Sequence, residues 1–227
     1  MLLIATRNPH KVGEIRAILG SQFQFLTLND FPKAPKIVED AETFAGNAAK
    51  KAAELAKWLA GSQLSTLNSQ PIFLLADDSG LEVDALNGAP GVHSARFAAM
   101  DSAGTENSSS ADNNAKLLRL LKNVPHEKRS ARFCCVIALV SVAGGASVPA
   151  SRFVSSLAPP KLFDGVCEGR IIPEPRGQNG FGYDPLFVPD GFEQTFAELG
   201  NAVKNKLSHR AKALEKLKKF FTPKAQR

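Results

Sequence analysis

The sequence predicts an α/β fold in which helices flank a mixed sheet, and three observations carry that prediction. The chain opens on a short apolar run, Leu2-Leu3-Ile4-Ala5, which passes through a polar turn into an amphipathic helix. Longer apolar runs at 72–76 and 131–142 read as buried strands. Strands outnumber simple βα pairs, which favours a mixed sheet over a purely parallel one. At 227 residues the chain has room for one large domain or two lobes sharing a core.

The elements follow in order. Asn8 caps the first helix and Pro9 is its first residue, where the missing N–H costs nothing. Val12, Ile15, Ile18 and Leu19 share one face of that helix, and Gly20 stops it. A strand at 23–28 and a loop at 32–36 come next. Glu42 or Thr43 opens a long helix whose Phe44, Ala48, Ala52, Leu55 and Leu59 recur at helical spacing. The polar stretches 61–70 and 102–111 read as surface insertions. Asp112 caps a helix carrying Leu117, Leu118, Leu120 and Leu121, and the strand at 131–142 turns at Gly144-Gly145. Further strands are expected at 151–154, 166–172 and 185–188. A last helix at 208–221 packs through Ala211, Leu214, Leu217, Phe220 and Phe221, and 222–227 form a flexible tail.

Composition narrows the function classes. Apolar content of 44% and charged content of 22% are those of an ordinary globular protein. The net charge of +6, part of which sits at Lys212, Lys216, Lys218, Lys219, Lys224 and Arg227, suits anionic ligands; a solvated helix face and a frayed tail are the commoner source of such a cluster. Cys134, Cys135 and Cys167 form no disulfide framework and lack zinc-site spacing, so a reducing, cytoplasmic setting is expected. No apolar run approaches membrane-spanning length, and no membrane partner is expected.

Four constellations carry chemistry. In the first, the strand at 72–76 runs into Asp77-Asp78-Ser79-Gly80. Carboxylates at the end of a buried strand need solvent, a partner or a cation, and Mg²⁺ prefers oxygen ligands of this kind. The alternative is a strand end and turn in which Asp and Ser cap the next segment. In the second, Thr6-Arg7-Asn8-Pro9-His10-Lys11 places a strand-to-helix loop where free backbone N–H groups and the helix dipole suit phosphate, with Lys11 adding a point charge. In the third, Gly180-Phe181-Gly182-Tyr183-Asp184 offers an aromatic for stacking and a carboxylate for a base edge, or a turn with Phe and Tyr in the core. Further on, Ser208 caps a helix whose first turn holds His209 and Arg210, against the dipole.

Together these segments resemble the inosine triphosphate pyrophosphatase family, the non-canonical purine nucleoside triphosphatases, from Thr6 to about Leu214. The family's marks stand in order: Thr6, Asn8, Lys11 and Glu14; Thr43-Phe44 and Asn47-Ala48; Ala76-Asp77-Asp78-Ser79-Gly80-Leu81; Gly88-Ala89-Pro90-Gly91 and Ser94-Ala95-Arg96-Phe97; Gly180-Phe181-Gly182-Tyr183-Asp184-Pro185; Ala197-Glu198-Leu199; Lys204; and Ser208-His209-Arg210. Arg7 stands where the loop usually has Gly, and Gly46 where the long helix usually has Glu.

The resemblance implies a single domain of two α/β lobes around a long mixed sheet, with a nucleotide cleft between them, and a homodimer. It implies hydrolysis of ITP, dITP and XTP to monophosphate and pyrophosphate with Mg²⁺. Carried over, Asp78 is general base and metal ligand, and Asp77 and Glu39 are carboxylates on or beside the metal. Thr6, Asn8, Lys11 and Ser79 hold phosphates, and Lys204 reaches the nucleotide. Phe181, Gly182, Tyr183, Asp184, His209 and Arg210 form the base pocket. Two other readings stand beside this one. One is a pyrophosphatase for a different modified nucleotide. The other is a non-catalytic nucleic-acid-binding module, for which the basic C-terminus has little aromatic interleaving; no stable nucleic-acid partner is expected.

Overall fold

The computed structural model describes residues 1–61, 72–102, 106–142 and 158–222. Six strands form one sheet: β1 (Leu2–Ile4), β2 (Phe25–Thr27), β3 (Ile72–Val83), β4 (Ser130–Val142), β5 (Lys161–Ile171) and β6 (Phe187–Pro189), in the order β2-β1-β3-β4-β5-β6. β1 lies parallel to β2, with Leu2 opposite Phe25, and parallel to β3, with Leu2 opposite Phe73. β6 runs antiparallel to β5, so the sheet is mixed, as the strand count predicts. The flanking helices are α1 (Pro9–Leu19), α2 (Phe44–Gly61), α3 (Ser110–Leu120), α4 (Phe196–Leu207) and α5 (His209–Phe221).

Local chemistry explains the helix starts. The Asn8 side chain accepts from the amides of His10 and Lys11, with Pro9 as the first residue of α1. Gly20 follows α1 at φ 75°, the left-handed stop expected of glycine. α3 begins two residues ahead of Asp112, because Ser109 is the cap and accepts from the Asp112 amide. Ser208 caps α5 through the Ala211 amide at 3.2 Å.

Contact density divides the chain into two compact units. The first comprises Met1–Asp78, Val136–Phe163 and Leu214–Arg227. Its core joins Leu3 and Leu74 of the strands to Ala48, Ala52, Leu55 and Leu59 of α2, the face set by helical spacing. Phe23 and Phe73 close on Phe221 at the end of α5, with ring centroids 5.2 and 4.9 Å away. The second unit comprises Ser79–Cys135 and Asp164–Ala213. Leu81, Val83, Leu117, Phe133, Tyr183, Phe187 and Phe196 form its core.

Several elements differ from expectation. β3 does not end at its carboxylates but continues to Val83, because Leu81 and Val83 are buried in their own right. β5 begins at Lys161 rather than 166. α4 was not predicted; its capping box, with Thr195 and Glu198 bonding reciprocally, is the signal that marks its start. The polar loop at 62–70, the Gly144-Gly145 turn, the strand at 151–154 and the tail at 223–227 lie outside the described residues. Among the described residues no helix is long and apolar enough to cross a membrane.

Candidate active site

In the first unit, α1, the segment before α2, α2 and β3 gather five charged residues. Asp77 and Asp78 are both buried on β3, at 1% and 6% exposure. Asp77 is paired with Lys11 of α1, and its carbonyl accepts from Lys51 of α2 at 3.2 Å. Lys51 is itself paired with Glu39. Asp78 carries the main electrostatic consequence. Burial pushes its carboxyl up to about 6, with the Glu39 charge acting in the same direction and Lys11, Lys51 and the Asn47 amide opposing. Asn47, itself buried, is held by accepting the Ala41 amide at 2.9 Å.

Lys51 is the residue that sequence reasoning missed. A lysine on an amphipathic helix reads as part of a solvated face, and only the fold brings it to Glu39 and Asp77.

The α1 loop departs from the expected open phosphate nest. The Asn8 amide donates to the Thr6 hydroxyl at 3.1 Å, and the His10 and Lys11 amides donate to Asn8 Oδ1 at 2.9 and 3.3 Å. The first N–H groups of α1 are therefore satisfied within the loop, not free as the sequence reading expected. Arg7, in the usual glycine position, donates to the Ala34 carbonyl at 3.0 Å, which ties the loop to the segment after β2. At Gly46 the Thr43 hydroxyl accepts the backbone amide at 3.0 Å. Glycine there has no side chain to return that bond, and it leaves this position without a carboxylate. A Cβ there would stand 2.8 Å from Ala41 Cβ, so the segment before α2 fills that space.

In the second unit, Asp184 is the organising group of the glycine-bracketed loop. Its carboxylate accepts from Lys204 Nζ at 2.5 Å and from the Phe181 amide at 2.8 Å. Both charged side chains are almost fully buried. Lys204 lies over the Phe181 ring, 4.6 Å from its centroid. Gly180 has φ 78°, and a Cβ there would overlap the Asp184 carboxylate. The glycine therefore admits that carboxylate. Gly182 donates to Ser110 Oγ and accepts from Asn114, each at 3.1 Å.

Tyr183 is a core residue whose hydroxyl donates to the Ser94 carbonyl at 2.9 Å. His209 is buried, with its ring stacked on Phe133 at 4.8 Å and 14°. Arg210 is 1% exposed and donates to Ser79 Oγ at 2.7 Å. The structure thus sorts the sequence-predicted residues into two sets. Thr6, Asn8, Lys11, Glu39, Asp77 and Asp78 stand in the first unit. Ser79, Phe181, Gly182, Tyr183, Asp184, Lys204, His209 and Arg210 stand in the second.

Comparison with known proteins shows what the whole chain is similar to. The dITP/XTP pyrophosphatase of Geobacter sulfurreducens is 45% identical over 218 residues, covering 96% of this chain and 94% of that protein. The dITP/XTP pyrophosphatase of Shouchella clausii is 42% identical over 217 residues, covering 96% and 94%. Among solved structures, a HAM1 protein from Coxiella burnetii superposes with a TM-score of 0.72 at 37% identity, covering 96% of each chain. The Ham1 protein of Staphylococcus aureus gives 0.71 at 32% identity, covering 97% of each. The model of the Ham1 family matches residues 2–220, and with relatives this similar over nearly their whole length, the chain belongs to the Ham1 family.

Proposed function

We propose that this chain hydrolyses the non-canonical purine nucleoside triphosphates ITP, dITP and XTP to monophosphate and pyrophosphate. Relatives more than 40% identical that carry the name dITP/XTP pyrophosphatase support the reaction class. The observation in the structure that carries the mechanism is Asp78, a buried carboxyl raised to about 6 between two lysines and a second carboxylate. A general base works best when its pKa lies near the working pH, and this one is ionised at neutrality yet more basic than an ordinary carboxylate. Asp78 takes a proton from water as the water oxygen bonds to the α-phosphorus. The α–β anhydride bond breaks and pyrophosphate leaves.

Lys11 and Lys51 neutralise charge that builds on phosphate oxygens. Asp77 and Glu39, their partners here, hold them in place until the phosphates compete for them. Thr6 and Asn8 add polar contacts at the start of α1.

The donor chemistry fits a divalent cation. Among the described residues no three His, Cys, Asp or Glu side chains form a metal cluster. Mg²⁺ does not need one, because it binds through one or two carboxylates with waters and substrate phosphates as the remaining ligands. Asp78 and Glu39 would hold it, since their mutual repulsion and the burial of Asp78 are both relieved by a cation. Bound there, the ion would neutralise phosphate charge. Removing divalent ions with EDTA is expected to abolish turnover, and adding Mg²⁺ back to restore it; full activity in EDTA would remove the metal from this reading.

The pH dependence has a defined sign. kcat/KM is expected to fall on the acid side, because protonated Asp78 cannot accept the proton; the metal-free carboxyl titrates at about 6, and a cation held there moves the fall to lower pH. A kcat/KM that rises as pH falls would contradict this base assignment.

For the base, 6-keto purines present an acceptor at position 6 and a donor at N1, the reverse of adenine. The buried Asp184–Lys204 pair, with Phe181 beneath the ammonium, supplies a donor in Lys204 and a stacking surface in Phe181. Asp184 then acts on the base through Lys204 and Phe181 rather than as the direct acceptor expected from sequence. We also propose a cytoplasmic homodimer, as the family resemblance implies.

A further inference from the structure

Ser79 is a phosphate contact on the family resemblance, and in the structure its hydroxyl accepts from Arg210 Nη2 at 2.7 Å. We propose that Ser79 is a positioning residue for base selection, seating the Arg210 guanidinium; the proposal rests on the activity read above. Four observations converge on it.

Arg210 is among the largest fully buried side chains, and a buried cation needs strong acceptors. It stands in the first turn of α5, where the helix dipole opposes positive charge, so its stabilisation comes from groups off the helix. The start of α5 is rigidly mounted: Ser208 caps it, His209 stacks on Phe133, and a Cβ on Gly165 would overlap the His209 carbonyl. Ser79 lies on β3, so its oxygen is fixed by a strand rather than a loop.

A guanidinium is planar, with five donors in a fixed fork. Anchoring Nη2 on Ser79 therefore fixes one end of that fork and restricts where the remaining donors point. Through that seat Ser79 governs which base edge those donors match. This differs from a phosphate role in one measurable respect. Phosphates are common to every triphosphate, so losing a phosphate contact slows ITP and ATP alike. Losing the seat of a base-reading arginine slows ITP more than ATP.

The test uses the full chain and Ser79→Ala, Ser79→Thr and Arg210→Ala, at one fixed ionic strength. Ser79→Ala is expected to lower the ITP/ATP ratio of kcat/KM about tenfold, the size of a lost hydrogen bond to a charged group. Ser79→Thr, which keeps the hydroxyl, is expected to restore most of it. In the Arg210→Ala background, Ser79→Ala should change the ratio by less than about twofold, since the two act as a unit. If Arg210→Ala does not fold, Arg210→Lys takes its place, keeping the charge without the fork. An unchanged ITP/ATP ratio in Ser79→Ala, with both substrates slowed equally, would overturn the proposal in favour of phosphate binding.

A second readout needs no substrate. In the ligand-free protein, the Arg210 guanidinium should give resolved NMR signals slowed by its hydrogen bond, retained in Ser79→Thr and averaged in Ser79→Ala. Unchanged signals in Ser79→Ala would overturn the seat itself. A wild-type chain inactive on ITP would instead overturn the activity, and the guanidinium signals would still decide the seat.

Discussion

Asp78→Asn is expected to lower kcat with ITP at least about 100-fold, because general-base catalysis alone is worth that much. The same substitution is expected to stabilise the ligand-free protein. A carboxyl raised from 3.8 to about 6 by folding costs about 3 kcal/mol when it must be charged in the native state. The unfolded chain ionises near 3.8 and the folded chain near 6, so the cost appears as pH rises between them and is complete above about 6. Asparagine has no such charge. Asp78→Asn should therefore be about 2–3 kcal/mol more stable than wild type at pH 8, with the gain vanishing below about pH 4. Turnover assays and denaturant unfolding at the two pH values measure both effects. An active Asp78→Asn enzyme would mean that another residue holds the role, and one less stable at pH 8 would mean that the buried charge does not cost the fold stability.

Asp184→Ala has the largest expected cost to stability. It leaves the Lys204 ammonium, 2% exposed, without its 2.5 Å carboxylate, and the Phe181 amide without its acceptor. Breaking a buried pair from one side costs about 3–5 kcal/mol. The ITP/ATP ratio of kcat/KM should shrink with it, because Lys204 and Phe181 lose the group that places them. Asp184→Asn keeps an acceptor for the Phe181 amide and should lose less of both. Urea unfolding and paired ITP and ATP kinetics test this. A variant Asp184→Ala as stable as wild type would show that the ion pair contributes nothing to the fold.

What the sequence revealed, and what it hid, follows from the range of each interaction. Asn8, Pro9 and Gly20 bound α1 because capping is local: donor and acceptor lie within four residues. Ser208 announced α5 for the same reason. β3 was read too short because a pair of aspartates looks like a strand end; only the buried Leu81 and Val83 beyond it justify carrying on. α4 escaped notice because Gly200, at φ 73°, interrupts its helical geometry. Its capping box was nonetheless present in Thr195 and Glu198.

The site divides along the same line. Asp77, Asp78, Asp184, Lys204 and Arg210 could be named from their segments, but their partners could not. Lys11 meets Asp77 across 66 residues and Arg210 meets Ser79 across 131, distances over which no local pattern operates. Lys51 had no local mark at all. The α1 amides, expected to be open, are closed by Asn8, the same side chain that made the helix start legible.

Attack on the α-phosphorus of a non-canonical purine triphosphate is decided by identifying the phosphate product from ITP, dITP, XTP, ATP and GTP, each with Mg²⁺. Stoichiometric pyrophosphate and the nucleoside monophosphate are expected from ITP, dITP and XTP, with ATP and GTP turned over far more slowly. Orthophosphate and a diphosphate as the primary products, or equal turnover of ATP and ITP, would contradict it.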